Sequence, residues 1–214
     1  MNRMAIVLSA MMASIVLAGC GTAARTIMAN SQSERRDIFK EVPVSNQAPS
    51  GYVDVLIRAS IKTHLEDYYI AEPGDQAHGK PTYPFLINID GQSVVWNVPG
   101  VLDRKPAYDG DGQTSLDPEA RDGMKYVLEK KVQIRTGRHR VFFGLSEEQY
   151  YIVADVEVKE GNAYVLDFLP VYRYKTSPTR IPSFFLGVSR YDVRLDSSAR
   201  AMSNPGGVQM PAQP

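Results

Sequence analysis

Three histidines, His64, His78 and His139, and one cysteine, Cys20, are the scarce reactive side chains of this chain. Imidazole and carboxylate together suit zinc. His64 is followed by Glu66 and Asp67, and His78 lies in the Gly/Pro-rich stretch 73–84. A zinc site built from His64, His78 and a carboxylate is therefore one reading. No His-x-x-x-His or comparable spacing backs it, and the expectation is solvated loop histidines with no metal and no cofactor. His139 is expected to flank a turn at the start of a strand. The calcium candidate is Asp109-Gly110-Asp111-Gly112 with Asp117 and Glu119 behind it, since calcium takes several oxygens from a sharply turning loop. Set on an EF-hand frame with Asp109 third, the loop begins at Ala107 and ends at Pro118. The first carboxylate and the bidentate glutamate are both missing, so a solvated acidic loop is expected.

Hydrolytic machinery is not evident. No Gly-x-Ser-x-Gly elbow or phosphate loop occurs, and Ser146 and Ser189 follow a Gly-x pair without the second glycine. Asp155 and Glu157 fall on the outward face of a strand, whereas glycosidase chemistry needs a cleft between its carboxylates. The remaining candidate is a binding face. Tyr172-Arg173-Tyr174-Lys175, followed by Arg180, interleaves rings and cations; tyrosines stack on sugars and cations hold carboxylate or phosphate. Trp96 and Tyr83 could extend such a face toward glycan, peptidoglycan or lipid head groups, though Trp96 fits a core position equally well. The competing reading of 172–175 is an edge strand whose charges discourage pairing. Pro178, Pro182, Phe184 and Phe185 mark a loop that either packs under the domain or meets a partner.

The elements that must position these residues have a period of two. Val53, Val55, Ile57, Ala59 and Ile61 alternate with Asp54, Leu56, Arg58, Ser60 and Lys62, a half-buried strand. Phe85–Ile89 runs into Asp90-Gly91, the pair that supplies a type I′ turn, and Val94–Val98 returns as its hairpin partner. Tyr126, Leu128, Val132 and Ile134 share a face, interrupted by Lys130. Thr136-Gly137 turns into 139–143, Ile152 to Val158 alternate, Glu160-Gly161-Asn162 turns into 163–174, and a last strand covers 188–195. About eight strands without βαβ alternation predict an all-β, antiparallel sandwich or barrel. Segment 118–131 is ambiguous, with a helical turn leading into its strand.

Both ends of the chain differ from this middle. Residues 21–50 are small and polar with two prolines and read as a flexible tether, with a short helix over 35–40 suggested by the capping-box spacing of Ser31 and Glu34. Residues 197–214 are rich in Ser, Gly, Pro and Gln and read as a disordered tail. At the front, Arg3 precedes a short apolar run from Met4 to Val16, the pattern of a secretory signal peptide and too short for a transmembrane helix. Leu17-Ala18-Gly19-Cys20 closes it and resembles the lipobox of bacterial lipoproteins. That resemblance implies cleavage between Gly19 and Cys20, acylation of Cys20 (palmitate among the chains) and a membrane anchor; Gly21 in place of aspartate implies the outer membrane of a diderm cell, on the periplasmic face. Lipid on Cys20 would leave no thiol for a disulfide, a thiolate metal site or a nucleophile. With 24 basic and 24 acidic residues there is no electrostatic case for nucleic acid.

Within the middle region, Ile87-Asn88-Ile89-Asp90-Gly91, then Gly137-Arg138-His139-Arg140-Val141, then Val156–Gly161 are similar in order to PEGA-like domains, with a long insertion at 99–122 and without the Pro-Glu-Gly-Ala motif. The resemblance implies a non-catalytic immunoglobulin- or transthyretin-like β-sandwich. The organisation expected is a signal peptide at 1–19, lipidated Cys20 and tether to 50, a sandwich at 51–196, and a tail at 197–214. The expected function is a non-catalytic, lipid-anchored envelope lipoprotein with a structural or protein-binding role, an accessory part of an envelope assembly. Its alternatives are a carbohydrate- or peptidoglycan-binding module and a hydrolase with an unfamiliar site.

Overall fold

The alternating segments do form strands. The computed structural model describes residues 18–43, 48–69, 77–174 and 181–198. In chain order these hold α1 (Ala18–Ser31), β1 (Phe39–Glu41), β2 (Tyr52–Thr63), β3 (Thr82–Ile89), β4 (Gln92–Lys105), β5 (Arg121–Arg135), β6 (Gly137–Leu145), β7 (Tyr150–Val158), β8 (Ala163–Tyr172), a 3-10 turn at Phe184–Leu186, and β9 (Val188–Ser198). The apolar phase of each strand is the buried phase: Val53, Val55, Ile57, Ala59 and Ile61 in β2, and Tyr126, Leu128, Val132 and Ile134 in β5. Asp90 and Gly91 take φ of 47° and 88°, the two positive values a type I′ turn requires, and Ile89 pairs with Gln92 across it.

The all-β reading stands; the two-sheet sandwich does not describe the sheet path. The strands follow one order, β7-β6-β3-β4-β5-β2-β8-β9, with β1 added to β5. The bend comes from β4. Its first half, to Pro99, pairs with β3, and from Gly100 onward it pairs with β5. A Cβ on Gly100 would lie 2.6 Å from atoms of Met124 and Tyr126, so only glycine lets the backbone pass that close. The long, coiled strands thus carry the sheet around a single core, and the result is barrel-like. The path nearly closes where Tyr191 N donates to Tyr150 Oη at 2.8 Å. Phe143 sits at the centre, stacked on Phe168 at 4.4 Å and edge-on to Tyr191 at 4.9 Å. The pairing is antiparallel except for β2 with β8, which is parallel. The turns at 136–137 and 160–162 exist, but neither closes a hairpin: β5 does not pair with β6, nor β7 with β8. The ambiguous segment resolves as a turn before Arg121 and strand thereafter.

The stretch expected to be a flexible tether is tied to the barrel along its described part. Ser31 ends a helix rather than capping one, and 35–40 is not helical. Ile27 of α1 is buried against Leu86 and Phe142 on the outside of β3 and β6. Asn88 Nδ2 donates to Asn30 O at 2.9 Å and Ser93 Oγ to Ser31 O at 2.9 Å. Ile38 and Phe39 enter the core, with their N–H groups both bonded to Gln92 Oε1 at 2.8 and 3.1 Å. The apolar pair Ile38-Phe39 carries this docking, and three residues of strand give too little alternation to read. Residues 1–17, within the expected signal peptide, and those beyond 198 lie outside the described residues, while Ser197 and Ser198 of the expected tail pair in β9.

Candidate functional site

One end of the barrel gathers the ends of β2, β6 and β8 with the starts of β3, β7 and β9. Directly after β2 comes His64, which is buried. The loop before β3 folds back onto it through Gly79, at φ 68°. A Cβ there would lie 2.0 Å from Glu66 N, so the loop can touch the backbone of 65–66 only as glycine. Gly79 N donates to Thr63 Oγ1 at 3.0 Å. This brings His78 onto His64, with His78 Nδ1 to His64 Nε2 at 3.0 Å. The β6–β7 turn supplies Glu148, whose Oε1 lies 2.6 Å from His78 Nε2. Tyr68, Tyr69 and Phe185 pack around the pair; Tyr69 is edge-on to His64 at 4.9 Å and its hydroxyl donates to Phe185 O at 3.3 Å. The resulting mouth is a cavity of about 230 Å³, lined also by Lys62, Arg173, Phe184 and Gly187.

Its floor is a buried polar hub. Lys62 Nζ donates to Asp103 Oδ2 at 2.9 Å and to the carbonyls of Glu119 and Arg121, each at 2.8 Å, and lies 4.9 Å over the Phe184 ring. Lys62 belongs to the outward phase of β2; segment 119–121 and Phe184 cover that side. Gly123 allows the cover, since a Cβ would meet Thr63 O at 2.6 Å. Tyr172 Oη donates to Glu119 Oε1 at 3.1 Å and accepts from Lys62 N at 2.9 Å. Burial, with the Glu119 charge beside it, pushes the Tyr172 phenol far above its usual range. Glu119 Oε2 also takes Lys105 and Lys125.

This geometry redraws the candidates. His64 and His78 are not solvated loop histidines; they are joined, and nothing in their sequence spacing shows it because the loop before β3 and the Gly79 contact set the distance. Glu148 escaped notice for the same reason. Tyr172 and Trp96 do not form a stacking face: both are buried, and Trp96 Nε1 is committed to Glu41 Oε2 at 3.0 Å. Arg173 is exposed and lines the mouth, and Tyr174 is exposed next to it in sequence, while Lys175, Pro178 and Arg180 lie outside the described residues. Phe184 is buried and Phe185 half-buried, so that loop packs onto the barrel. Asp109 bonds its own loop, accepting from the N–H groups of Asp111 and Gln113 at 3.1 and 2.8 Å. Asp117 is neutralised by Lys105, whose hydrogen bond at 2.9 Å holds the carboxyl below its usual range. Asp111 is exposed, and the three carboxylates do not converge. Among the described residues no group of three or more His, Cys, Asp or Glu is disposed to hold a metal ion. His139 joins two turns, with Nδ1 2.7 Å from Asp90 Oδ2 and Nε2 2.7 Å from Arg135 O. Asp155 and Glu157 face outward, and Ser146 and Ser189 are exposed. Cys20 and Gly19 fall, by backbone, in the first turn of α1.

No protein-family model, curated protein or solved structure matches the chain. Among the described residues no helix is long and apolar enough to cross a membrane.

Proposed function

We propose that the protein is a lipid-anchored, non-catalytic envelope lipoprotein whose β-domain has a structural or protein-binding role, as an accessory part of an envelope assembly. The observation that carries this reading is the docked helix behind the lipobox-like Leu17-Ala18-Gly19-Cys20. From Cys20 to Ser31 an α-helix rises only about 17 Å, and α1 is fixed to the barrel through Ile27. An acylated Cys20 would therefore hold the barrel against the bilayer surface rather than swing it on a long leash, and would concentrate it among envelope partners. Gly21 supports the outer membrane, periplasmic face, in a diderm cell. The order of turns similar to PEGA-like modules supports a display role; the immunoglobulin- or transthyretin-like form of that family is not part of the proposal. The concave mouth beside Arg173 supports recognition there. Burial of Tyr172 and Trp96 takes two of the three rings from a glycan-stacking alternative and leaves Tyr174 exposed.

Palmitate labelling of cells, followed by membrane fractionation, tests the reading. The wild-type chain is expected to carry label and sediment with membranes, and Cys20→Ser to lose both. Unlabelled wild-type protein in the soluble fraction would overturn the anchor. Crosslinking in the envelope and purification through a C-terminal tag is expected to recover a discrete protein complex with the anchored form; recovery of none would remove the accessory role.

A further inference from the structure

Alternation predicts polar residues on the outside of β6 and β7, and one half of each strand obeys. Arg138 and Arg140 stand opposite Glu157 and Asp155, the charge pairing of a solvated face. Beyond them the outward residues Phe142, Tyr151 and Val153 are apolar. Helix α1 accounts for Phe142, since Ile27 packs with it and with Leu86. It does not account for Tyr151 and Val153, which remain 39 % and 37 % exposed. These two, with Phe142, form the apolar lining of a cleft of about 450 Å³ between α1 and the sheet, within the ~300–1,000 Å³ of small-molecule sites. The Tyr151 ring is held parallel to that of Phe142, with centroids 5.3 Å apart and planes inclined by 13°. The rest of the lining is polar, with Asn30, Asn88, Asp90 and Arg140. Asn88 is buried and fixed: its Nδ2 donates to Asn30 O at 2.9 Å and its Oδ1 accepts from Gly91 N at 2.8 Å. The Asp90 carboxylate is fixed by Arg140 N at 2.8 Å and His139 Nδ1 at 2.7 Å, which leaves lone pairs on both oxygens for a ligand. Among the described residues the Arg140 guanidinium has no hydrogen bond or ion pair, so its five N–H donors are available.

We propose that this cleft binds a neutral pyranose sugar, with Tyr151 as the stacking ring and Arg140 and Asp90 as the hydrogen-bonding groups. A pyranose presents an apolar face of C–H groups and a rim of hydroxyls that both donate and accept. Tyr151 and Val153 suit the face; the Arg140 donors and the Asp90 oxygens suit the rim. The Asp90 charge in the same lining disfavours a phosphate or carboxylate ligand. A hydrocarbon chain would bury Asp90 and Arg140 without partners for their charged atoms. Phe142 and His139 already hold Tyr151 and Asp90 in place, so binding has to order little beyond Arg140. The site does not rest on the lipid anchor, and its failure would leave the envelope reading untouched.

The test is saturation-transfer NMR on the full chain, held in micelles of a detergent without a sugar head group. The probes are the methyl β-glycosides of glucose, galactose and N-acetylglucosamine. At least one is expected to receive saturation on its ring C–H groups, with a Kd of about 1 mM or tighter. Tyr151→Ala should weaken that binding by more than tenfold, and Arg140→Met by about tenfold, the effect of losing a hydrogen bond from a charged group. Tyr174→Ala, which removes an exposed ring outside the cleft, should keep the wild-type affinity. Saturation reaching none of the three sugars would overturn the proposal. So would wild-type affinity in either Tyr151→Ala or Arg140→Met, or loss of binding in Tyr174→Ala. If circular dichroism shows that Tyr151→Ala does not fold, the exposed Arg140 decides: a tenfold loss in Arg140→Met supports the site and no loss overturns it.

Discussion

Replacing Lys62 by methionine keeps the length and apolar stem of the side chain and removes only its charge and donors. The Lys62 side chain is fully buried and that of Asp103 is 26 % exposed. Loss of the ammonium leaves the Asp103 carboxylate and the carbonyls of Glu119 and Arg121 without a shared donor, and the Phe184 ring without its cation. Breaking a buried pair from one side costs about 3–5 kcal/mol. Asp103 can recover some water, which places the expected loss near the lower bound, about 3 kcal/mol. For a chain of this size that is a fall in Tm of roughly 6–12 °C, or of about 1–1.5 M in the urea midpoint at a slope of ~2–3 kcal/mol/M. The control is Arg104→Met. That residue pairs with Asp122 at 4.0 Å with side chains 72 % and 59 % exposed, and its loss should stay within about 0.5 kcal/mol. The double variant K62M/D103N should lose less than the sum of the singles, because the second change removes the orphaned charge. Urea and thermal melts of the wild type, K62M, D103N, K62M/D103N and R104M measure this. A loss below about 1 kcal/mol for K62M, or one equal to that of R104M, would refute the view that Lys62 ties the mouth of the barrel together.

Ile27→Ala should release α1 from β3 and β6; hydrogen exchange is expected to speed up across 22–31 while the barrel strands keep their protection, and unchanged exchange would contradict the docking. Glu41 is held below its ordinary value of 4.5 by the hydrogen bond from Lys130, and further by Trp96. A carboxylate with a lowered folded pKa stabilises fully above the unfolded pKa and loses that contribution as pH falls through the folded one. Fluorescence of Trp96, the one tryptophan, should therefore change only as the pH falls below that ordinary value of 4.5, and Glu41→Gln should abolish that step. Tyr83 Oη is the one buried side-chain polar atom without a hydrogen-bond partner among the described residues. Tyr83→Phe should leave the chain as stable or raise it by up to about 2 kcal/mol, with a drop in Tm counting against it.

The barrel strands were legible because a half-buried strand writes its burial into alternate residues, and Asp90-Gly91 names its own turn. The features that escaped share a different cause. Val101 and Leu102 of β4 are exposed, so the second half of that strand carries no apolar phase and reads as insertion. Lys62 sits on the polar phase of β2, and only its burial under 119–121 and Phe184 makes it interior. The difference between sandwich and barrel lies in which partner β4 takes after Pro99, a long-range choice that local pattern does not encode. Likewise His64, His78 and Glu148 come from three segments whose meeting depends on a backbone contact at Gly79; the scarcity of histidine is the one local hint.

The parallel pairing of β2 with β8 sets Val55 against Tyr164, and the seam sets Tyr150 against Tyr191. Strands formed early in synthesis thus have partners that emerge only at the end. A high mean separation between contacting residues slows folding, because loop closure precedes the reward of contact. A chain passed through a membrane from its N-terminus would travel with β2 paired on one side only, exposing an edge until β8 arrives. Truncation before Val188 removes β9 and leaves β8 with an open edge. Any partner that escorts the nascent chain would be relieved of it only when the last strand is in hand.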